Sequence, residues 1–423
     1  MEEKGIKPQH QIDHVFRHHY GQLVASLAKR VGIEHLALVE DAVQEAMAAA
    51  LVSWPIKGKP QEEVAWFYQV AYRKLMSGFR SDKRKQNLLI QQALIITDEQ
   101  ASLQEGDLQV PLSKEMADDL LALLFVTCDP AISMPSQLVF TLKSLCGFNI
   151  KEISKRLFIS KANVYKRFER AKQALKNADL DSAKLSNTEL NKRLPSVYKV
   201  LYLIFTEGYL SSHPDNAIRM DLCQEAIYLT QALSQHAIGD KAETLALLAL
   251  MYFHLARMDS RQGEGGLILL ADQDRHHWHQ GHIKTAMDYL IKSAQGEQVS
   301  RYHLEASIAA EHCFAPSIKA TNWQRIIETY SKLERITPSP LLGLNRAIAI
   351  SHHEGPTAAI VALAEIAKPD WFSTSYHYYA VKADLLFQAG ETQSAKNEAQ
   401  KAVEQAPSKQ VKDLLRKRFT LYE

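Results

Sequence analysis

Residues 147–172, GFNIKEISKRLFISKANVYKRFERAK, carry the most informative pattern in this chain of 423 residues. Asn149 followed by Glu152 has the spacing of a capping box, which opens a short helix. Phe158-Ile159 forms a turn after it, and Ser160 caps a second helix. Four apolar residues lie on one stripe of that second helix: Val164, Phe168, Ala171 and Leu175. The pattern predicts a helix-turn-helix that this stripe holds to its domain.

The other faces of the second helix carry residues that suit contact with DNA. They are Lys161, Asn163, Tyr165, Lys166, Arg167, Arg170 and Lys172. In a recognition helix, exposed residues near the N-terminal end reach base edges, and lysine and arginine meet phosphate. Nine bases stand against two acids between Lys151 and Lys176, and six against one between Arg73 and Lys85. These local excesses indicate a polyanion partner, although a solvated charged face would explain either one alone.

Composition and cysteine spacing describe an ordinary globular protein. The chain is 46% hydrophobic and 23% charged, and its net charge of +2 predicts no partner by itself. A chain of this length is expected to hold about two to four domains. The four cysteines lie far apart without a CxxC pair, which argues against a zinc site and a disulfide scaffold. They fit a reducing cytoplasm.

The sequence also argues against a membrane protein and against an enzyme. The start has no apolar run of signal-peptide length, and no stretch of 18 uncharged apolar residues occurs. No nucleophile motif, pair of catalytic carboxylates or cofactor fingerprint is present. We therefore expect a cytoplasmic, non-enzymatic protein with no cofactor, no metal and no membrane partner.

Helical periodicity dominates the chain, so the predicted fold class is all-α. In the N-terminal part we predict helices over 14–29, 34–52 and 62–79, with a break at 54–60. Residues 117–174 form a compact helical unit, and from residue 194 helices alternate with short turns.

A repeat with a period of 36 residues occupies the C-terminal part. Ala347, Ile350, Ala359 and Leu363 recur as Ala383, Leu386, Ala395 and Ala399. Small residues at these positions let two helices pack closely, and Pro407 ends the second helix. The second copy resembles a tetratricopeptide repeat. Such pairs need stacked neighbours, so we expect similar helix pairs throughout residues 190–423.

The helix 39–47, VEDAVQEAM, resembles the core-binding helix of region 2 of sigma factors, whose pattern is Asp-x-Val-Gln-acidic. On a helix, Asp41, Gln44 and Glu45 share an exposed face, whereas Ala42, Val43 and Ala46 face inward. The resemblance implies that the exposed face grips the β′ clamp helices of core RNA polymerase. An ordinary solvated helix face is the alternative.

The following segment, 54–85, looks like the part of region 2 that binds the promoter −10 element. Aromatic and basic side chains interleave there, a mixture that accepts unstacked bases and holds a displaced strand. The resemblance assigns −10 contacts to Tyr72, Arg73, Lys74, Ser77 and Arg80, and we expect Trp66 and Phe67 to be core. The chain departs from the family where Ala71-Tyr72-Arg73 replaces Ala-Arg-Asn and Ser77 replaces Asp.

Residues 123–130, LLFVTCDP, followed by the helix-turn-helix, resemble sigma region 4, which implies contact with the β flap and the −35 element. The −35 contacts would come from Lys161, Asn163, Tyr165, Lys166, Arg167 and Arg170. The subgroup concerned is of the extracytoplasmic-function type (group IV) and has a tetratricopeptide-like C-terminal domain. The expected layout is region 2 at 1–88, a linker at 89–115, region 4 at 116–178 and a regulatory domain at 190–423.

Within the last domain, one segment gathers charged and aromatic residues among glycines. It contains Arg257, Arg261, Asp272, Asp274, Arg275 and Trp278. These residues suit either a site for a small-molecule or protein regulator, or a buried network of ion pairs, which we favour. The nearby His276, His277, His279 and His282 have no cysteine partner. A solvated or stacked run of histidines is therefore the favoured interpretation over a metal site.

The expected function is promoter-specific transcription initiation, by binding core RNA polymerase and promoter DNA, with modulation by the C-terminal domain. One alternative is a one-component helix-turn-helix regulator with a tetratricopeptide-like sensor. That alternative leaves the Asp41–Glu45 face unexplained. A second alternative is a tetratricopeptide scaffold whose sigma part is degenerate, to which Tyr72 and Ser77 point.

Overall fold

A computed structural model describes residues 8–91, 111, 113–157, 159–176, 186–209, 218–263, 266–296, 298–367, 369, 372, 375–406 and 409–420. These residues contain eighteen α-helices, so the predicted all-α class is confirmed. The sequence did not predict one small exception, an antiparallel pair of two-residue strands, β1 (Gln262–Gly263) and β2 (Gly266–Leu267). The chain forms two compact units, Met1–Ile204 and Phe205–Glu423.

In its described residues, the first unit contains seven helices and the beginning of an eighth. They are α1 (Pro8–Val31), α2 (Leu36–Lys57), α3 (Glu63–Gln91), α4 (Ser113–Thr127), α5 (Met134–Phe140), α6 (Ile150–Leu157), α7 (Lys161–Leu175) and α8 (Asn187–Tyr209). A 3-10 turn, Ile33–His35, leads into α2, and a π turn, Thr141–Leu145, follows α5. Helix α1 packs against α2, α3, α4 and the π turn, and it therefore lies at the centre of this unit.

The predicted break at residues 54–60 is wrong in its first half, because α2 continues through Pro55 to Lys57. Trp54 is buried with its ring 5.4 Å from that of Trp66 and 5.1 Å from that of Phe67. These contacts hold the last turn of the helix although proline removes one backbone donor from it. Helix α3 likewise continues to Gln91, past the predicted end at residue 79, because no glycine or proline follows there.

Two glycines permit the close approach at the centre of the first unit. A Cβ atom on Gly21 would lie 2.3 Å from the carbonyl oxygen of Leu145 and 3.0 Å from Cδ1 of Leu120. Gly147 has a φ of +73°, which L side chains rarely adopt, and its Cβ would meet the ring of Tyr20 at 2.9 Å. The backbones of α1 and the π turn are therefore in direct contact.

We expect Gly21→Ala to lower the free energy of unfolding by about 3 kcal/mol, because the added methyl meets backbone rather than a movable side chain. Gly78→Ala is the matched control. Gly78 lies within helix α3 with open space around its Cβ position, so alanine should stabilise the chain by about 0.5–1 kcal/mol. Urea unfolding of the full chain, followed by circular dichroism, measures both changes. Equal stability of the two variants would contradict the close contact.

In its described residues, the second unit continues from the end of α8 with ten helices. They are α9 (Met220–Gln235), α10 (Ala242–Ala256), α11 (Gln280–Ser293), α12 (Arg301–Phe314), α13 (Trp323–Ile336), α14 (Pro340–Glu354), α15 (Pro356–Ala364), α16 (Tyr376–Gln388), α17 (Thr392–Gln405) and α18 (Lys409–Phe419). Neighbours in sequence pack on each other, as α13 does with α14 and α16 with α17. None of the helices in the described ranges is long and apolar enough to cross a membrane.

The eight repeat positions are all buried. Ala347, Ile350, Ala359 and Leu363 share one core between α14 and α15, and their counterparts share the next core between α16 and α17. The helices of each pair are joined at a glycine of positive φ, Gly355 in one and Gly390 in the other. Each copy of the 36-residue period thus forms a pair of helices with the equivalent positions buried, while the assignment to tetratricopeptide-like repeats stays a prediction.

Candidate functional site

The exposed side of α2 has the predicted orientation. Asp41, Gln44 and Glu45 are exposed, and the three residues predicted to face inward are buried. Glu45 forms an exposed ion pair with Lys74 of α3, with Oε2 and Nζ 3.2 Å apart. The side chain of Gln44 is hydrogen-bonded to the buried Tyr20. We call Asp41, Gln44 and Glu45 the α2 face.

Beside it lies an exposed basic side of α3. Arg73, Lys74, Ser77 and Arg80 are exposed, and we call these four residues the α3 face. Tyr72 is half-buried, with the guanidinium carbon of Arg30 4.9 Å from its ring centroid. Of the two aromatic residues predicted to be core, Phe67 is buried and Trp66 is half-buried. The Glu45–Lys74 pair joins the two faces, so an acidic and a basic surface adjoin.

Sequence reasoning missed Glu40, the most buried carboxylate among the described residues of the first unit. The residue is 1% exposed, and its carboxylate forms an ion pair with Lys143 of the π turn. The hydroxyl of Ser144 donates to the other carboxylate oxygen at 2.7 Å. Helical periodicity does place residue 40 on the inner side of α2, but a glutamate there has no local partner in the sequence.

A second charged contact joins the same two parts of the chain. The ammonium group of Lys29 in α1 lies 2.7 Å from a carboxylate oxygen of the buried Asp119 in α4. Residues 1–88 and 116–178, which we predicted as separate domains, therefore contact one another within one compact unit. Burial raises the pKa of Tyr20, at the centre of this contact, well above its usual value, and the charge of Glu40 adds to this effect.

The caps predicted for α6 and α7 are confirmed. The backbone N–H of Asn149 donates to Glu152 at 2.8 Å, and the N–H of Glu152 donates to the side-chain oxygen of Asn149 at 2.9 Å. The hydroxyl of Ser160 accepts from the N–H of Asn163 at 3.2 Å. All four residues of the predicted apolar stripe on α7 are buried. Residue 158, half of the predicted turn, lies outside the described residues.

The outer side of α7 is basic. Lys161, Tyr165, Lys166 and Arg170 are exposed, and Asn163 and Arg167 are half-buried. Tyr165 is 55% exposed, which is high for a residue of its size and leaves its ring free to contact a partner. On the opposite side, Phe168 stacks on Phe140 at 5.5 Å. The helix therefore offers one surface to solvent while the other fixes its position.

The charged segment of the second unit differs from the predicted ion-pair network. Arg257 and Arg261, at the end of α10 and in the following 3-10 turn, are 7% and 9% exposed. The guanidinium of Arg257 donates to the amide oxygen of Gln273, and that of Arg261 donates to the carbonyl of Tyr209 at 2.7 Å. Both buried cations therefore bond to neutral oxygens.

Arg275 also bonds to neutral oxygens. Its Nη1 donates to the backbone carbonyls of His312 and Ala315, the second at 2.8 Å. The carboxylates that were to pair with these arginines, Asp272 and Asp274, are exposed. Asp274 instead caps its own 3-10 turn and pairs with His277 at 3.2 Å. Asp274 thus caps its own turn and does not form the ion pair with an arginine that we favoured from the sequence.

Two histidines that sequence reasoning missed complete this group. Burial lowers the pKa of His254 well below its usual value, and the charges of Arg257 and Arg261 lower it further. The same causes, with Arg257 and Arg275, lower the pKa of His312 to about 3. We call Arg257, Arg261, Arg275, His254, His312 and Trp278 the arginine cluster. Neither histidine has a neighbouring motif in the sequence that would have signalled it.

The depressed pKa of His312 predicts a loss of stability in acid. The unfolded histidine titrates near 6.5, so between about pH 6.5 and pH 3 the unfolded chain binds more protons than the folded one. The free energy of unfolding should therefore fall as the pH is lowered through this window, by up to about 1.4 kcal/mol per unit. Urea unfolding between pH 7 and pH 4.5 measures this slope. His312→Phe should flatten it, and the exposed control His276→Gln should not.

The histidine run behaves as the favoured interpretation predicted. The rings of His279 and His282 are stacked with centroids 4.0 Å apart. Nδ1 of His279 accepts the backbone N–H of His282 and so caps α11. These contacts give the two histidines a structural role.

Comparison with known proteins gives one family match in the N-terminal part of the chain and a different one in the C-terminal part. Residues 16–85 match the family Sigma-70 region 2, and residues 193–294 match a family of unknown function, DUF6596. An uncharacterized protein of Rhizobium meliloti (strain 1021) is 31% identical over 370 residues, which cover 87% of this chain and 86% of the relative. No solved structure matches the chain significantly.

The first match covers α2 and α3 with their exposed faces, and it points to a sigma-factor-like role in transcription initiation and to binding of core RNA polymerase. The second match covers the arginine cluster except for His312 and assigns it no role. The chain belongs to the same protein family as the Rhizobium meliloti protein, and in this chain a sigma-70 region 2 precedes a C-terminal part that contains a DUF6596 domain.

Proposed function

We propose that this protein is a sigma factor of the extracytoplasmic-function type, which binds core RNA polymerase and directs it to specific promoters. One observation carries the proposal: the exposed α2 face adjoins the exposed α3 face within a domain that matches sigma-70 region 2. In this proposal the α2 face binds the β′ clamp helices. The α3 face, with Tyr72, holds the −10 strand, and the polymerase performs the chemistry.

We further propose that residues 116–178 act as region 4 on the −35 element and the β flap. The support is the capped pair α6 and α7, with a basic outer side on α7. Lys166 and Arg170 are exposed and suited to phosphate contacts, whereas Lys161 and Asn163 lie at the helix N-terminus, where recognition helices reach base edges.

We propose a regulatory role for residues 190–423, as a stack of tetratricopeptide-like helix pairs. The support is the 36-residue repeat, whose equivalent positions are buried in successive cores. Stacked pairs expose an extended surface that suits binding of a regulator.

Run-off transcription with purified core polymerase, on a promoter from the protein's own genomic neighbourhood, tests the proposed function. The full chain is the right sample, because Arg193 of α8 pairs with Asp129 at 2.5 Å and a chain cut before α8 would lose this contact. A transcript that depends on the protein supports a sigma factor. DNA binding without polymerase binding would favour the one-component regulator, and neither activity would favour the scaffold.

Replacing Lys166 and Arg170 together by alanine should weaken promoter binding on all sequences alike. If each side chain meets one phosphate, the slope of log affinity against log salt should become shallower by about 2. Lys192→Ala with Lys199→Ala, two exposed residues of α8, is the matched control and should leave the slope unchanged. Fluorescence anisotropy at several salt concentrations measures it. An unchanged slope in the α7 variant would remove these two residues from the DNA surface.

A further inference from the structure

The arginine cluster holds three positive charges without a negative partner among the described residues. Its guanidinium groups donate only to amide and backbone carbonyl oxygens. Desolvating an ion costs several kcal/mol when no opposite charge compensates it. Two of the three arginines are more than nine-tenths buried, so this cost applies to them in full. Within the described residues, the positive charge of the cluster is therefore not neutralised by a carboxylate.

Four polar atoms in the same place have no hydrogen-bond partner in the part of the chain that the structure describes. They are Nη2 of Arg275, Nε1 of Trp278, Nδ1 of His254 and Nδ1 of His312. Trp278 is 2% exposed, so water does not satisfy its N–H from outside. An unsatisfied buried donor costs about 1–3 kcal/mol. Two of these atoms, on Arg275 and Trp278, are donors in every protonation state, and their position beside three cations indicates a missing acceptor that carries negative charge.

The aromatic residues fix the orientation of the cations. The guanidinium carbons of Arg257 and Arg275 lie 5.2 Å and 4.6 Å from the ring centroid of Trp278. That of Arg261 lies 3.5 Å from the ring centroid of Tyr209. A guanidinium group held against an aromatic ring has a fixed position, and its planar N–H fork suits two-pronged binding of a carboxylate or phosphate.

We propose that the arginine cluster is a binding site for a small anionic molecule, which it holds through a carboxylate or phosphate group. Arg257, Arg261 and Arg275 neutralise the anion, and the N–H of Trp278 donates to it. The neutral histidines leave the positive charge to the arginines. Burial of the arginines excludes a nucleic-acid backbone, which needs an open surface, and the positive charge excludes a metal ion. The inference does not depend on the sigma-factor assignment.

Isothermal titration calorimetry of the full chain tests the site with inorganic phosphate in one arm and succinate in the other. Sodium chloride at the same ionic strength is the control. Binding of phosphate alone assigns a phosphate-bearing ligand, binding of succinate alone assigns a carboxylate, and binding of both assigns a general anion site. Absence of binding to either anion would overturn the proposal.

Two variants locate the binding. Trp278→Phe removes the N–H donor, together with part of the ring surface, and should weaken the binding at least about 10-fold, the effect of one hydrogen bond to a charged group. Arg257→Gln removes a cation and should weaken it about 10- to 100-fold. Arg325→Gln is the matched control, since Arg325 is exposed and pairs with Glu311. Unchanged affinity in the two cluster variants would place the anion elsewhere and overturn the proposal.

Thermal unfolding distinguishes a binding site from a purely structural cluster. With an anion site, phosphate raises the melting temperature of the wild-type chain and not that of Arg257→Gln. If the arginines serve only to hold the amide and backbone carbonyl oxygens of the fold, Arg257→Gln lowers the melting temperature by the same amount with and without phosphate. The Trp278→Phe variant keeps all three positive charges and an aromatic ring at position 278, and so provides the test if Arg257→Gln does not fold.

Discussion

The double variant Asp41→Ala/Gln44→Ala is expected to lose at least about 100-fold in affinity for core RNA polymerase. Interface residues that dominate binding contribute about 2 kcal/mol or more each, and tenfold in affinity corresponds to about 1.4 kcal/mol. Both side chains project from the exposed side of α2, and the residues between them are buried. Binding of the full chain to immobilised core enzyme measures the loss.

The hydrogen bond between Gln44 and Tyr20 determines which controls this experiment needs. Removing the amide leaves a buried phenol without that partner, which costs about 1–3 kcal/mol of stability. The single variant Asp41→Ala, which leaves this bond intact, separates the two effects. Gln61→Ala/Glu62→Ala removes the same kinds of group from an exposed turn and should bind normally. Normal binding by Asp41→Ala/Gln44→Ala would exclude the α2 face from the polymerase contact.

The features that the sequence predicted well are local ones. The caps at Asn149 and Ser160 are made by side chains that reach backbone three residues away, so spacing alone specifies them. The buried stripe on α7 and the inward side of α2 follow from helical periodicity in the same way. The burial of the eight repeat positions is also predictable from the sequence, because each pair of helices packs mainly on its neighbours.

The features that the sequence did not predict depend on residues distant in the chain. Glu40 is on the inner side of α2, but its partner Lys143 is 103 residues away, and no periodicity connects them. The sequence predicts a helix break at Pro55, but the packing of Trp54 against two aromatic rings keeps the helix intact. In the arginine cluster, nearby acids suggested ion pairs, whereas the arginines bond to oxygens of residues 16 to 52 positions away. Tertiary contacts decide each case.

The contact between the two predicted promoter-binding parts has a consequence for the proposed function. A compact unit of 204 residues, the span Met1–Ile204, is about 40–45 Å across. Promoter elements centred at −10 and −35 lie about 25 base pairs apart, or about 85 Å at 3.4 Å per pair. If both elements are read at once, α3 and α7 must separate, and the contact between α2 and the π turn must open. We infer that this unit is a closed state.

Glu40→Ala is expected to weaken that closed state by about 3–5 kcal/mol, because it leaves the ammonium group of Lys143 half-buried without its partner. A loss of this size favours opening by at least about 100-fold. Glu45→Ala, one turn further along α2, removes an exposed ion pair and should cost at most about 1 kcal/mol. Urea unfolding measures the two losses in the full chain.

Amide hydrogen exchange shows whether the lost stability reflects opening between the two parts. In Glu40→Ala, the buried residues Leu23 of α1 and Leu120 of α4 should lose protection together, while α13 in the second unit keeps its own. Their joint loss follows because one contact surface protects both helices. A loss of less than about 1 kcal/mol, or exchange confined to α2, would show that Glu40 does not hold the closed state.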